Sequence, residues 1–209
     1  MSELVQLGRD DVAQAAEALA AAFRDYPLLT FACPRPEGRG QLARAFSRII
    51  LHYAACYGEV YATSRVFEGV AAWVPSSHFP MTFGKTIRSV PPSILFALAR
   101  HGGNRLRAAG AHLDALQRRL APPDHLFLFI LGVAPQFQGE GHAGRLLRPV
   151  LARLDREGRP CYVDTVNGKA VPMYEHFGFR IVADSPLPGT DLTAWALVRD
   201  PVPPLPGTR

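Results

Sequence analysis

The sequence predicts an α/β (α+β) fold in which helices pack on a central sheet, and three observations carry that expectation. The run LFLFILGV, Leu126 to Val133, is continuously apolar and of strand length, the pattern of a central strand covered on both faces. Segments rich in Val, Tyr, Phe and Trp alternate with segments whose apolar residues recur at helical spacing. Of the 209 residues, 48% are apolar and 20% charged, enough to build a sizeable core and too balanced for a disordered chain.

Taken in order, residues 3–7 read as a short strand, followed by Asp10 and Asp11 as helix-capping candidates and an Ala-rich helix to about Arg24. The segment from Asp25 to Gly40 carries Pro27, Pro34 and Pro36 and is expected to be a loop. Leu42, Phe46, Ile49, Ile50 and Tyr53 then repeat at helical spacing up to Gly58. Glu59 to Ser64 and Phe67 to Val74 predict two strands joined by a tight turn. Residues 75–124 differ in kind: they are punctuated by proline, with helical spacing at Ile94, Leu95 and Leu98 and again at Leu106, Leu113, Leu116 and Leu120. They predict a helical insertion before the central strand. Beyond Val133 a glycine loop leads into a helix marked by Leu146, Leu147, Val150, Leu151 and Leu154 that stops at Gly158. CYVDTV, Cys161 to Val166, is a second inner strand, a short helix runs through Tyr174, and residues 178–184 and 191–198 predict two closing strands. Residues 1–200 are expected to form a single domain, with 201–209 as a Pro-rich tail.

Composition narrows the function. The formal charge of +5 comes from arginines spread along amphipathic segments without a dense basic run, which argues against a nucleic-acid partner. Cys33, Cys56 and Cys161 form an odd, widely spaced set with apolar neighbours, read as buried reduced thiols with no metal site. The N-terminus lacks the layout of a signal peptide and no window approaches 18 apolar residues, so a cytoplasmic protein with no membrane partner is expected, as a monomer or homodimer.

The stretch QGEGHAG, Gln138 to Gly144, contains G-x-G-x-x-G, with Asp164 about 20 residues later, as a dinucleotide site would have. Such a site needs its first glycine at the strand end, and here Pro135, Gln136, Phe137 and Gln138 intervene. Only about 65 residues follow Gly144, too few for the further βα units of a dinucleotide fold. No Lys-Ser/Thr pair follows the glycines, which excludes a Walker loop. A glycine-containing helix start without a ligand stays open on these residues alone.

VAPQFQGEGHAG, Val133 to Gly144, fits without gaps the acyl-CoA signature of the GNAT (GCN5-related) N-acetyltransferases: V-x-P, two residues, then Q/R-x-x-G-x-G/A. Downstream, NGKAVPMYEHFGF, Asn167 to Phe179, resembles the family's N-x-x-A-x-x-L-Y-x-x-x-G-F, with Met173 in place of Leu. RDDVAQAAEALAAAFRDYP and GVAAWVP are further similar to the puromycin N-acetyltransferase-like branch. The resemblance implies a GNAT fold, a central mixed and mostly antiparallel sheet of six to seven strands, and acetyl-CoA as cosubstrate. It also implies direct acetyl transfer to a primary amine of a small molecule through a ternary complex. An acyltransferase using another acyl-CoA, or an acyl-CoA-binding sensor without catalysis, are the alternatives.

The chemistry suits these residues. A helix N-terminus offers unpaired N–H groups and a positive dipole end to a pyrophosphate, and glycines let the backbone come close. The implied cradle is Gln138, Gly139, Glu140, Gly141, His142, Ala143, Gly144 and Arg145, with Arg148 a further phosphate candidate. By the same resemblance Leu131 and Val133 offer backbone groups to the pantetheine arm, the Val133 N–H faces the thioester carbonyl, and Asn167 bonds the arm from the other side or caps a turn. Tyr174 stands where the family keeps a general acid for the leaving thiolate, its alternative being a packing role. Asp164 is the first candidate base for the incoming ammonium; Glu68, His78 and His125 follow.

Overall fold

The computed structural model describes residues 4–203. Strand β1 (Val5–Gln6) is short, and Glu3, expected in it, lies outside the described residues, as do residues 204–209 of the tail. Helix α1 (Val12–Phe23) follows a single 3-10 turn at Arg9–Asp11. Asp10 and Asp11 do not cap α1 as expected. They sit inside that turn, where the Asp11 carboxylate accepts the Gly8 N–H at 2.9 Å.

The predicted loop between Asp25 and Gly40 is instead helical over most of its length, with α2 (Pro27–Ala32) and α3 (Pro36–Tyr57). Pro27 and Pro36 each begin a helix. At that position the missing N–H has no intrahelical partner to lose and the fixed φ is already helical, so the prolines start helices where they were read as excluding them.

Strands β2 (Glu59–Ala62) and β3 (Gly69–Pro75) form a hairpin. The insertion is helical as expected: α4 (Phe83–Ser89), α5 (Pro92–His101) and α6 (Gly103–Leu120). Then come β4 (Leu126–Val133), α7 (His142–Glu157), β5 (Cys161–Thr165), α8 (Val171–His176), β6 (Arg180–Pro186) and β7 (Thr193–Arg199). Among the described residues seven strands make one sheet in the order β1-β2-β3-β4-β5-β7-β6, and only the β4–β5 pair is parallel. A parallel pair needs a crossover, and α7 supplies it.

Period-two alternation divides the core between the two faces of the sheet. On β3, Val70, Ala72 and Val74 pack with Ala15, Leu19, Ile50 and Tyr53 of α1 and α3. Ala71 and Trp73 turn to the other face and pack with Leu146, Leu147 and Leu151 of α7. Gly132 permits the close approach of α1 to β4, since a Cβ there would stand 2.6 Å from Leu19 Cδ2 and 2.9 Å from Phe23 Cε2. The cysteines are all free, but only Cys161 is buried; Cys33 and Cys56 are partly exposed, against expectation. None of the described helices is long and apolar enough to cross a membrane.

The end of β7 is tied to α7 by Arg199, whose guanidinium donates to both Asp155 oxygens at 2.7 and 2.8 Å and to Phe177 O at 3.0 Å. The Arg199 hydrogen bonds hold the Asp155 carboxyl below its ordinary pKa, so its stabilisation is present above the unfolded value of about 3.9 and is lost as pH falls through the depressed value. Arg199→Met is expected to destabilise the fold by about 2–3 kcal/mol in denaturant titrations at pH 7. That is less than the ~3–5 kcal/mol of a fully buried pair, because Asp155 keeps contact with water. The difference from the unsubstituted protein should shrink as the pH is lowered towards 3.

Candidate active site

Strands β4 and β5 part soon after they meet. They pair at Leu126↔Cys161 and Phe127↔Tyr162 and no further, whereas β4 stays paired with β3 as far as Val133↔Gly69. A bulge sits on the β3 side, where Ala72 pairs with Ile130 and Trp73 with Leu128, leaving Phe129 as the extra residue. Its effect is visible at the strand's two ends. Leu126 N–H donates to Pro160 O on the β5 side, yet Ala134 N–H donates to Glu68 O on the β3 side. Strict alternation would have sent both the same way. Beyond the bulge, therefore, the N–H groups of Leu131 and Val133 face the opened gap. The Val133 carbonyl, on the same edge, accepts Gln138 Nε2 at 3.1 Å.

A cavity of about 750 Å³ occupies the gap and extends under the insertion helices. It brings together Leu131, Val133, Gln138, Asp164, Asn167 and Tyr174. Residues Gly139 to Arg145 are not in its lining. They form the turn into α7 beyond it, with Gly139 to Gly141 exposed. Gly139 and Gly141 have φ of +86° and +81°, a region that side chains with a Cβ rarely adopt. The first intrahelical bond of this turn runs from Arg145 N–H to Gly141 O at 3.1 Å, so the N–H groups of His142, Ala143 and Gly144 have no helical acceptor. Glu140 pairs with His142 Nε2 at 3.3 Å, and His142 Nδ1 is buried without a partner. The Arg145 guanidinium points back to Thr63 O at 3.2 Å, and Arg148 lies over the Phe177 ring at 5.3 Å.

Asn167 lines the cavity and also caps the following turn, its Oδ1 accepting Lys169 N–H at 3.2 Å. Tyr174 is buried against Phe179, ring to ring at 5.7 Å. Burial raises its phenol pKa, with Tyr26, Asp164 and Cys161 adding to the effect, so it stays protonated through the physiological range. Asp164 is pushed up to about 7, first by burial and then by the negative charge of Asp114, and among the described residues no cation offsets the shift. A carboxyl in that range exchanges protons readily at neutral pH.

The other candidate bases lie outside the cavity lining. Glu68 accepts the Thr63 and Ser64 hydroxyls at 2.9 and 2.7 Å, and the Ser64 bond leads in keeping its pKa low, which makes it a poor base. His78 stacks on Tyr57, 5.3 Å between ring centres. His125 is buried, donates to Pro122 O at 2.7 Å and meets Gln117 at 2.9 Å; burial holds it neutral. It stabilises the turn into β4. Among the described residues no group of three or more His, Cys, Asp and Glu side chains is placed to hold a metal ion.

A sequence model of the acetyltransferase (GNAT) family matches residues 48–179. The chain belongs to the GNAT family. An uncharacterized N-acetyltransferase of Schizosaccharomyces pombe is 26% identical over 179 residues, spanning 81% of this chain and 70% of that protein. The fold is shared with two solved structures. One, described as histone acetyltransferase HPA2 and related acetyltransferase, is from Corynebacterium glutamicum, with a TM-score of 0.64 at 20% identity over 98% of this chain and 99% of that one. The other is the Drosophila melanogaster polyamine N-acetyltransferase, with a TM-score of 0.64 at 18% identity over 95% of this chain and 99% of that one. The protein is thus an acetyltransferase by family, on a mixed, mostly antiparallel GNAT sheet.

Two lining residues of this GNAT protein went unread in the sequence. Tyr26 enters the cavity from the turn before α2; its hydroxyl accepts Val166 N–H at 3.2 Å and lies 3.5 Å from Thr165 Oγ1. Its only sequence mark was the following proline. Asp114, half-buried on α6, also lines the cavity. Its signal was an acid directly after Leu113, inside a helix whose other marked positions are leucines.

Because the folded-state pKa of Asp164 lies above its unfolded value of about 3.9, stability should be greatest below that value and fall as pH rises towards and through about 7. Asp164→Asn removes this dependence. Its melting temperature relative to the unsubstituted protein should be higher by a few degrees at pH 8 than at pH 5, measured by calorimetry or circular dichroism.

Proposed function

We propose that the protein is an acetyl-CoA-dependent N-acetyltransferase that passes the acetyl group directly to a primary amine of a small molecule in a ternary complex. The observation that carries this reading is the parted β4–β5 edge: the N–H groups of Leu131 and Val133, facing the gap, lead from a glycine-bearing helix start to Asp164 and Tyr174 in one cavity. The residues present fit coenzyme A. A diphosphate suits the unpaired N–H groups of His142, Ala143 and Gly144 at a positive helix end, approached past glycines without side chains. An extended amide-bearing arm suits a free strand edge, because buried N–H and C=O groups need partners. Bound acetyl-CoA supplies an acyl thioester.

Each residue then has a task. The Val133 N–H stabilises negative charge developing on the thioester oxygen, a contribution that depends on a donor fixed in advance by the strand. Asp164 takes a proton from the incoming ammonium, freeing the nitrogen lone pair to form the C–N bond as the C–S bond breaks. Tyr174 gives its proton to the departing sulfur and regains one from the acylated nitrogen. No nucleophile need be acylated in between. The similarity of the N-terminal residues to the puromycin N-acetyltransferase branch supports a small aminated acceptor over a protein lysine, and the polyamine substrate named for a fold relative points the same way.

Thiol release from acetyl-CoA against a panel of amines, paired with calorimetry of CoA binding, tests the reading. Tyr174→Phe should lower kcat about 10²-fold with little change in the KM for acetyl-CoA; unchanged turnover across pH would remove the general-acid role. Gly141→Val, which forces a branched side chain to a φ of +81°, should weaken CoA binding at least tenfold. CoA binding with no turnover of any amine would favour the sensor alternative.

A further inference from the structure

One face of α6 lines the cavity and carries a narrow stripe made of Gly103, Arg107, Gly110 and Asp114, spaced by three or four residues and so aligned along the helix. Gly110 keeps the stripe open, since a Cβ there would meet nothing within 4 Å, whereas a Cβ at Gly103 would stand 3.1 Å from Leu98 O. Among the described residues, Arg107, Asp114 and Asp164 are the charged members of a lining otherwise dominated by aliphatic and phenylalanine side chains. The two acids are neighbours on packed elements, Asp114 on α6 and Asp164 on β5, and both line the cavity. Asp114 is near enough for its charge to act on Asp164 across the cavity, while Arg107 lies seven residues back along α6, about 10 Å away at 1.5 Å per residue.

We propose that the acceptor is a primary monoamine on a bulky apolar body, aromatic or branched aliphatic, and that Asp114 holds its ammonium head beside Asp164 while the insertion helices enclose the body. This rests on the acetyltransferase reading above and narrows its acceptor. The division of labour follows from the surroundings. Burial pushes the Asp114 carboxyl up and Arg118 draws it back, and a bound ammonium favours its ionised form; Asp164, the more deeply desolvated of the two, receives the proton. A wall of Phe23, Phe46, Phe79, Phe127 and Phe129 offers an apolar amine the burial that water denies it. A linear diamine is disfavoured because its second ammonium would leave water for an apolar wall that holds no further carboxylate, and a chain long enough to span about 10 Å would bring it to the like charge of Arg107.

The groups facing Asp164 are Asp114 from α6, Tyr26 from before α2, Tyr174 from α8 and Tyr162 on its own strand; Arg118 stands by Asp114 on α6. Removing the Asp114 charge therefore has a signature that a merely structural role does not. The acidic limb of the pH profile of kcat/KM should move to lower pH, because burial, the larger cause of the raised Asp164 pKa, then acts without the added charge of Asp114.

The test compares 2-phenylethylamine, 3-methylbutylamine and putrescine, by direct calorimetric titration into the free protein and by thiol release with saturating acetyl-CoA. The apolar monoamines are expected to exceed putrescine at least 100-fold in kcat/KM. Asp114→Asn should raise the KM for 2-phenylethylamine at least tenfold, leave the KM for acetyl-CoA unchanged and shift the acidic limb downward. Gly110→Leu, a helix-favouring change into open space, should exclude 2-phenylethylamine while sparing propylamine. Preference for putrescine, or an Asp114→Asn enzyme with unaltered amine KM and pH profile, overturns the proposal. If the monoamine binds in an Asp114-dependent way but CoA does not bind, the acetyltransferase reading fails and the amine site stands. If CoA binds and the monoamines neither bind nor react, the amine site fails alone.

Discussion

The site depends on one constraint: β4 abandons its parallel partner after two residue pairs while keeping its antiparallel one. An inner strand with an unpaired edge is unfavourable, because each buried N–H or C=O left without a partner costs about 1–3 kcal/mol. The arrangement is tolerable only where water or a bound molecule can reach that edge, so the parting of the strands and the cavity between them are one feature. The bulge at Phe129 decides which groups are offered. Without the extra residue, alternation would turn the Leu131 and Val133 N–H groups towards β3, and the gap would be lined by the neighbours' edge instead. The glycine turn follows from the same geometry. A strand that ends at an opened gap must deliver the chain to a helix that closes the crossover, and the left-handed conformations at Gly139 and Gly141 make that turn short enough to leave the start of α7 beside the gap.

A second consequence is electrostatic. Parting two inner strands lets polar side chains reach the interior from a strand that would otherwise be covered on both faces. Asp164 is on β5, between the buried Val163 and Thr165, and among the described residues it has no cation to stabilise its ionised form. The sheet's alternation sends Val163 to the face packed by α7 and α8 and leaves Asp164 on the side of α6. The acid with a raised pKa and the phenol that stays protonated thus approach the gap from opposite faces. An acid and a base that must act on the two ends of one reacting centre are kept apart by the sheet itself, without a flexible loop to position either.

The parts of this architecture that follow from local periodicity could be read in the sequence. LFLFILGV is observed as β4 from Leu126 to Val133, and the leucine pattern from Leu146 to Leu154 lies within α7. The two motifs that carried the family resemblance mark the turn into α7 and the segment through α8, because a glycine at positive φ and an aromatic residue at a fixed offset are written directly in residue type. The bulge could not be read, since every residue from Leu126 to Ile130 is apolar and an added residue leaves no mark in a run without alternation. The proline-bearing segment differs from its expected loop for a related reason. Pro27 and Pro36 obey the same sterics in a loop and at the first position of a helix, and only the packing of Leu28, Leu29 and Ala32 against α3 and α6 selects the helix. Tyr26 and Asp114 are brought to the cavity by that packing, so no short-range signal could have announced them.

The insertion has the weaker periodic signal and the larger say in what the cavity accepts. The sheet contributes backbone groups, one acid and the rings of Phe127 and Phe129, and α8 adds the phenol; apart from those two rings, none of these distinguishes one amine from another. Discrimination must come from what surrounds the amine's carbon skeleton, and those walls are contributed largely by α3, α5 and α6. On α6 Gly110 sets width, Asp114 sets the place of a positive charge, and Arg107 sets where a second one is unwelcome. A charge pattern of this kind selects by exclusion as much as by attraction: the apolar wall adds affinity in proportion to the surface it covers, whereas a misplaced ammonium faces both desolvation and repulsion. Changes on one face of a single helix are therefore enough to redirect the acceptor while the strand edge, the glycine turn and the two titratable residues stay as they are.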